Sequence, residues 1–125
     1  RWGRQGNKMS QLMNLVDEQD KIIGKENIEK IHQKGFLHRA VHIFIVNSSG
    51  RLFCRQRSAK KKIYPGYWST SVGAHVMSGE TYNQVAKQSL ESDLGINCKL
   101  IFIGKARVRD QYENEISATY SGGHM

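Results

Sequence analysis

The sequence predicts an α+β fold, a sandwich in which strand pairs surround one well-placed helix. Three observations carry this. Residues 40–46, Ala-Val-His-Ile-Phe-Ile-Val, are nearly all apolar or β-branched, as suits a central strand. In residues 81–94, Tyr82, Val85, Ala86, Leu90 and Leu94 recur close to a 3.6-residue spacing, the mark of an amphipathic helix. Between these, short apolar runs are separated by turn-forming residues and read as hairpins.

The elements follow in order. Leu15-Val16, an acidic turn and Ile22-Ile23 read as a short hairpin. Asn27 can cap a short helix through Ile31 or beyond, because its side-chain oxygen satisfies free backbone N–H groups, and Gly35 ends that helix. The strong strand spans Arg39 to Val46, Asn47 to Gly50 form a turn, and Leu52 to Arg57 pair back. Pro65-Gly66 makes a turn, and Tyr67 to Val72 read as another strand. After the helix, stopped at Gly95, come strands at Lys99 to Ile103 and Gln111 to Tyr120. The second would carry Glu113 and Glu115 on one face, since strand side chains repeat every second residue.

At 125 residues, with 38% hydrophobic and 24% charged residues, the chain has the size and composition of one globular domain. No apolar run reaches membrane-spanning length and no signal peptide is visible, so a cytoplasmic protein without membrane contact is expected. Cys54 and Cys98 make no disulfide framework and read as free thiols. Residues 1–10 and 121–125 lack periodicity and are set apart as tails, leaving 11–120 as the domain. The formal net charge is +8, with basic residues clustered at Arg55, Arg57 and Lys60 to Lys62. RNA-binding aromatic–glycine signatures and zinc-finger spacings are absent, which sets a small anionic substrate ahead of nucleic acid.

The residues able to do chemistry fall into three groups. His75 and Glu80 lie on the Gly-rich segment 73–80, Glu91 and Asp93 lie near the helix end, and Glu113 and Glu115 share a strand. His32, His38 and His42 stand upstream. Two carboxylates on one strand face repel, and a bound cation removes the repulsion by using both. A loop with a His and a Glu, then a helix with a terminal acid, is a layout for a divalent ion and a diphosphate. Phosphate oxygens are hard ligands that call for Mg²⁺ or Mn²⁺. Along the helix face, Ser89, Ser92 and Asp93 supply a single acid.

Residues 73–96 resemble the box of the Nudix superfamily: Gly, five residues, Glu, seven residues, Arg-Glu-apolar-any-Glu-Glu-any-Gly-apolar. Glu80, Gly95 and Ile96 match it; Ala74, Gln88, Ser89, Ser92 and Asp93 stand at the other named positions. Leu37-His38, Arg57 with Lys61, Pro65-Gly66, Trp68, His75 and Tyr112 to Glu115 resemble the branch that includes type I isopentenyl-diphosphate isomerase. The resemblance implies a Nudix-type α/β/α sandwich with a mixed sheet. It implies a metal held by His38, His75, Glu113 and Glu115, with His32 a further candidate one residue closer to His38 than in that family. It also implies a carboxylate at Asp93 for a substrate-bound Mg²⁺, and a diphosphate gripped by Arg57 and Lys61. Gly73 stands where the isomerases carry a catalytic Cys, and the family fold continues beyond the point where this chain stops. The implied activity is hydrolysis of a nucleoside or prenyl diphosphate, with Glu80, Asp93 and Glu115 as catalytic acids. Isomerase-like chemistry, or binding without turnover, are the alternatives. A strand edge left open by the shortened C-terminal part would allow a homodimer.

Overall fold

The computed structural model describes residues 11–47, 49, 51–53, 55–56, 68–69, 71–109 and 113–123. Cys54, Arg57, Lys61, Pro65-Gly66 and Tyr112 therefore lie outside the described residues.

The chain opens with the expected hairpin: β1 (Leu12–Val16) pairs antiparallel with β2 (Ile22–Asn27). Its turn places Asp20 at φ 63°, a left-handed conformation that Asp tolerates because its short side chain bonds locally. Helix α1 (Ile28–Lys34) starts where expected, with the Asn27 side chain accepting from Glu29 N–H at 2.8 Å. It ends at Gly35, whose φ of 70° would strain any residue with a Cβ.

Strand β3 (His38–Val46) is the centre of the main sheet. It pairs with β4 (Leu52–Phe53) and β7 (Val72–His75) along one edge, both antiparallel. Along its other edge lies β9 (Asn114–Gly123), parallel to it, and β8 (Leu100–Arg109) closes the sheet antiparallel to β9. The sheet is mixed, as expected. A separate short pair joins β5 (Arg55–Gln56) and β6 (Trp68–Ser69). Between the β4 and β7 pairings, the buried Ser71 hydroxyl accepts from Ile45 N–H at 2.9 Å, filling a gap in the ladder.

Helix α2 (Tyr82–Leu94) carries a full capping box: Thr81 Oγ1 accepts from Gln84 N–H, and Gln84 Oε1 accepts from Thr81 N–H. Gly95, at φ 67°, stops it. The buried face Val85, Ala86 and Leu90 packs on Val41, Ile43 and Ile45 of β3, Val72 and Ala74 of β7, and Ala118 and Tyr120 of β9. Each fully buried Val or Leu contributes about 1.5–3 kcal/mol, so this layer is the main source of stability. Strand alternation then assigns the opposite face. His38, Ala40 and His42 of β3 point away from α2, together with His75, Glu115 and Ser117 at their register positions. Rings from α1 meet that second face, so a helix covers each side of the sheet.

Three expectations are corrected. The single strand at Tyr67 to Val72 is two: β6 leaves for the small sheet, while β7 begins at Val72 and runs to His75, so His75 sits on a strand end rather than in a loop. The strand at Lys99 to Ile103 extends to Arg109, because β9 offers it a partner throughout. The segment set aside at 121–125 is not all tail. Ser121, Gly122 and Gly123 pair with Phe44, Ile45 and Val46 of β3, and backbone hydrogen bonding there needs no apolar pattern. No described helix is long and apolar enough to cross a membrane.

Candidate metal centre

The register of β3 against β9 sets the site. His38 faces Glu115 directly across the parallel pair, and Ala40 faces His75 across β7. The turn that closes α1 at Gly35 brings His32 over both imidazoles. Ring centroids of His32 lie 5.5 Å from His38 and 5.2 Å from His75, and His38 lies 5.5 Å from His75. Glu113 stands just before β9 and completes the group: ligand atoms of His32, His38, His75 and Glu113 all lie within 4.8 Å of one another. An ion with donors at about 2.1 Å puts opposite donors about 4.2 Å apart, so the group has the right size for one divalent cation.

Hydrogen bonds fix the tautomer of the central imidazole. His38 Nδ1 lies 2.9 Å from the Phe36 carbonyl, which can only accept, so the ring proton sits on Nδ1 and Nε2 presents a lone pair. That Nε2 is 3.7 Å from Glu115 Oε2, beyond hydrogen-bond range, and neither atom has a hydrogen-bond partner among the described residues. Burial pushes the His38 pKa down, against opposing pulls from the Phe36 carbonyl and Glu115. Burial, then the neighbouring imidazoles, holds His75 well below the ordinary value of 6.5. Both rings are therefore neutral, the form that ligates metals. A buried carboxylate oxygen facing a bare imidazole nitrogen, with no hydrogen between, is an arrangement that a cation satisfies.

The other Glu115 oxygen has a different partner. His42 Nε2 donates to Oε1 at 3.2 Å. His42 is not among the expected site residues, although the spacing 38-40-42 on one strand face is a usable signal for it. His32, by contrast, joins the cluster despite its short spacing to His38, because the helix and its left-handed cap set where it falls.

Two expected acids lie apart from this cluster. Glu80 accepts from Met77 N–H at 3.0 Å in the turn before α2. Asp93 sits in the last turn of α2, on the other side of the sheet from the imidazoles, and accepts from the Ser92 hydroxyl. Neither belongs to the group of converging donors. Ser89 is fully buried, with an Oγ that has no hydrogen-bond partner among the described residues. A cleft of about 560 Å³ also lies on the α2 side, lined by residues including Lys87, Cys98, Lys99, Phe102 and Tyr120, and it includes none of the histidines.

No protein-family model matches the chain. Among curated proteins, it is 34% identical over 109 residues to the uncharacterized Nudix hydrolase all7351 of a Nostoc species, covering 86% of this chain and 64% of that protein. It is 37% identical over 87 residues to the uncharacterized Nudix hydrolase PA4841 of Pseudomonas aeruginosa, covering 70% and 52%. It is 35% identical over 119 residues to the isopentenyl-diphosphate delta-isomerase of Serratia proteamaculans, covering 91% and 66%. The chain thus spans between half and two thirds of the length of these relatives. Among solved structures, DR0079 of Deinococcus radiodurans, described as a hypothetical Nudix protein, superimposes with a TM-score of 0.70 at 20% identity, covering 91% of this chain and 72% of that one. A MutT protein of Methanosarcina mazei does so with a TM-score of 0.62 at 19% identity, covering 71% and 64%. The fold is that of these Nudix neighbours, and the sequence relatives are named as Nudix hydrolases and an isopentenyl-diphosphate isomerase: the chain belongs to the Nudix superfamily.

Proposed function

We propose that this domain is a divalent-metal-dependent Nudix hydrolase acting on a small-molecule diphosphate, nucleoside or prenyl. The observation that carries this is the convergence of His32, His38, His75 and Glu113 within 4.8 Å, beside the buried Glu115. These five residues would hold the ion. When bound, a divalent cation supplies positive charge that anchors phosphate oxygens and polarises the bond to be broken. Of Mg²⁺ and Mn²⁺, the three imidazoles favour Mn²⁺, since Mg²⁺ takes oxygen ligands and keeps its waters.

The chain's own residues have separable tasks. Neutral His38 and His75 offer lone pairs, and Glu113 and Glu115 bring the two negative charges that balance the ion. Glu115, hydrogen-bonded to His42, is the group assigned to proton handling. Glu80 holds the turn ahead of α2, and its catalytic role stays part of the proposal, as do Arg57 and Lys61 as diphosphate contacts. A homodimer through the open edge of β8, where Ile101, Phe102 and Ile103 are exposed, belongs to the same reading. Phosphate release from a panel of nucleoside and prenyl diphosphates with Mn²⁺ or Mg²⁺ tests the activity. Release lost in Glu115→Gln supports it, and no release with any metal sinks it.

Two other readings each rest on one observation. The three-histidine, two-glutamate set favours an isomerase-like relative, for which deuterium exchange into isopentenyl diphosphate is the discriminating assay. The buried Ser89 hydroxyl, at a position where the Nudix box has a carboxylate, favours diphosphate binding without turnover, which calorimetry would reveal as heat without product.

A further inference from the structure

We propose that His42 is a positioning residue that orients Glu115 and makes it a single-oxygen donor to the metal centre; the inference rests on the metal-centre reading above. Glu115 is 3% exposed, so its carboxylate cannot turn to water for support. Its Oε1 is engaged by His42 Nε2 at 3.2 Å, while its Oε2 lies 3.7 Å from the His38 Nε2 lone pair and has no hydrogen-bond partner among the described residues. One oxygen is thus spoken for and the other is aimed at the donor cluster. A carboxylate with both oxygens available could chelate an ion through both; a carboxylate held at Oε1 offers Oε2 alone. His42 is placed for this task by the backbone. It stands four residues along β3 from His38, on the same strand face, and its register partners are Gly73 on β7 and Thr119 on β9. Its side chain is 27% exposed against 4% for that of Glu115, so His42 also forms the boundary between the buried carboxylate and solvent. Partners of this kind orient ligands, and their loss lowers metal affinity about 10- to 100-fold.

The test uses Mn²⁺ alone as probe, on the full chain, with titration calorimetry for affinity and the electron paramagnetic resonance spectrum of bound Mn²⁺ for the ligand set. His42→Leu removes the donor and is expected to weaken Mn²⁺ binding about 10- to 100-fold and to alter the spectrum. His42→Gln keeps an N–H within reach of Oε1, and is expected to restore both affinity and spectrum toward the starting protein. Should His42→Leu not fold, His42→Asn replaces it, because its amide is one methylene too short to span the gap. Wild-type affinity and spectrum in the donor-less variant would overturn the role of His42 while leaving the metal centre standing. Failure of the unmodified protein to bind Mn²⁺ would overturn the metal centre and this inference with it. A mere packing role would weaken binding without rescue by the Gln variant, and that result also overturns the proposal.

Discussion

Glu115 stands directly across the parallel β3–β9 pair from His38, its Oε2 3.7 Å from the His38 Nε2 lone pair, and no hydrogen is available to join them. In the metal-free protein this is an unfavourable meeting of two acceptors. Glu115→Gln removes the buried charge and supplies an amide donor. The metal-free variant is therefore expected to match or exceed the parent in stability, by up to about 1 kcal/mol. Mn²⁺ at about 100 times its Kd should stabilise the parent by about 2.7 kcal/mol and the variant far less. Thermal melts with and without Mn²⁺ measure both effects. A metal-free variant much less stable than the parent would mean that the charge-assisted hydrogen bond from His42 to Glu115 outweighs the clash of acceptors at Oε2.

Asp20 gathers a second network on the α2 side of the sheet. It accepts from Arg39 Nε at 2.8 Å, Lys105 Nζ at 2.7 Å and the Tyr82 hydroxyl at 3.0 Å. Burial alone would raise its pKa, but the hydrogen bonds from Lys105, Arg39 and Tyr82 together outweigh it and leave the value below the ordinary 3.8. A carboxylate with a lowered folded pKa stabilises fully above its unfolded value and loses that contribution as pH falls through the folded one. Asp20→Asn should therefore be less stable than the parent near pH 7, and the gap should narrow as pH drops below about 3.8. Urea midpoints at several pH values test this, and a gap independent of pH would refute it. Asp20→Ala, which strips the carboxylate from Arg39 and the part-exposed Lys105, should lose about 1–3 kcal/mol at neutral pH.

Gly122 is held by packing. A Cβ there would lie 2.9 Å from both Cys98 Sγ and Leu100 Cδ2, and 3.2 Å from Ile45 Cδ1. Gly122→Ala is expected to destabilise by about 1–3 kcal/mol, the range for overpacking. The double variant with Cys98→Ala should recover part of that loss and not all, because Leu100 still intrudes. Denaturant unfolding of the single and double variants gives the comparison. Full recovery would assign the clash to the thiol alone.

Ser89 lies fully buried in α2 with a hydroxyl that makes no hydrogen bond among the described residues. Replacing an unsatisfied buried hydroxyl with a methyl group removes a desolvation penalty of about 1–3 kcal/mol, and Ala is also the better helix former. Ser89→Ala is expected to raise the melting temperature and leave Mn²⁺ affinity unchanged, since α2 lies across the sheet from the imidazoles. A fall in stability would mean that the hydroxyl is satisfied by a group outside the described residues.

Sequence alone determined the local architecture: both helices with their Asn27 and Thr81 starts and their Gly35 and Gly95 stops, and the central strand, whereas Glu113, expected on the strand face of Glu115, stands just before β9. These depend on spacing, capping chemistry and strand alternation, each legible within a few residues. It also singled out His38, His75, Glu113 and Glu115, although on resemblance rather than on contact. What only the tertiary structure decided was register. Pairing β9 parallel to β3 sets Glu115 against His38, and closing α1 in a left-handed turn swings His32 over both imidazoles. The same register makes His42 a neighbour of Glu115, leaves Asp93 on the far side of the sheet, and draws Ser121 to Gly123 into β9. Register is a long-range choice, made by the apolar layer under α2 and by backbone hydrogen bonds that carry no side-chain signature.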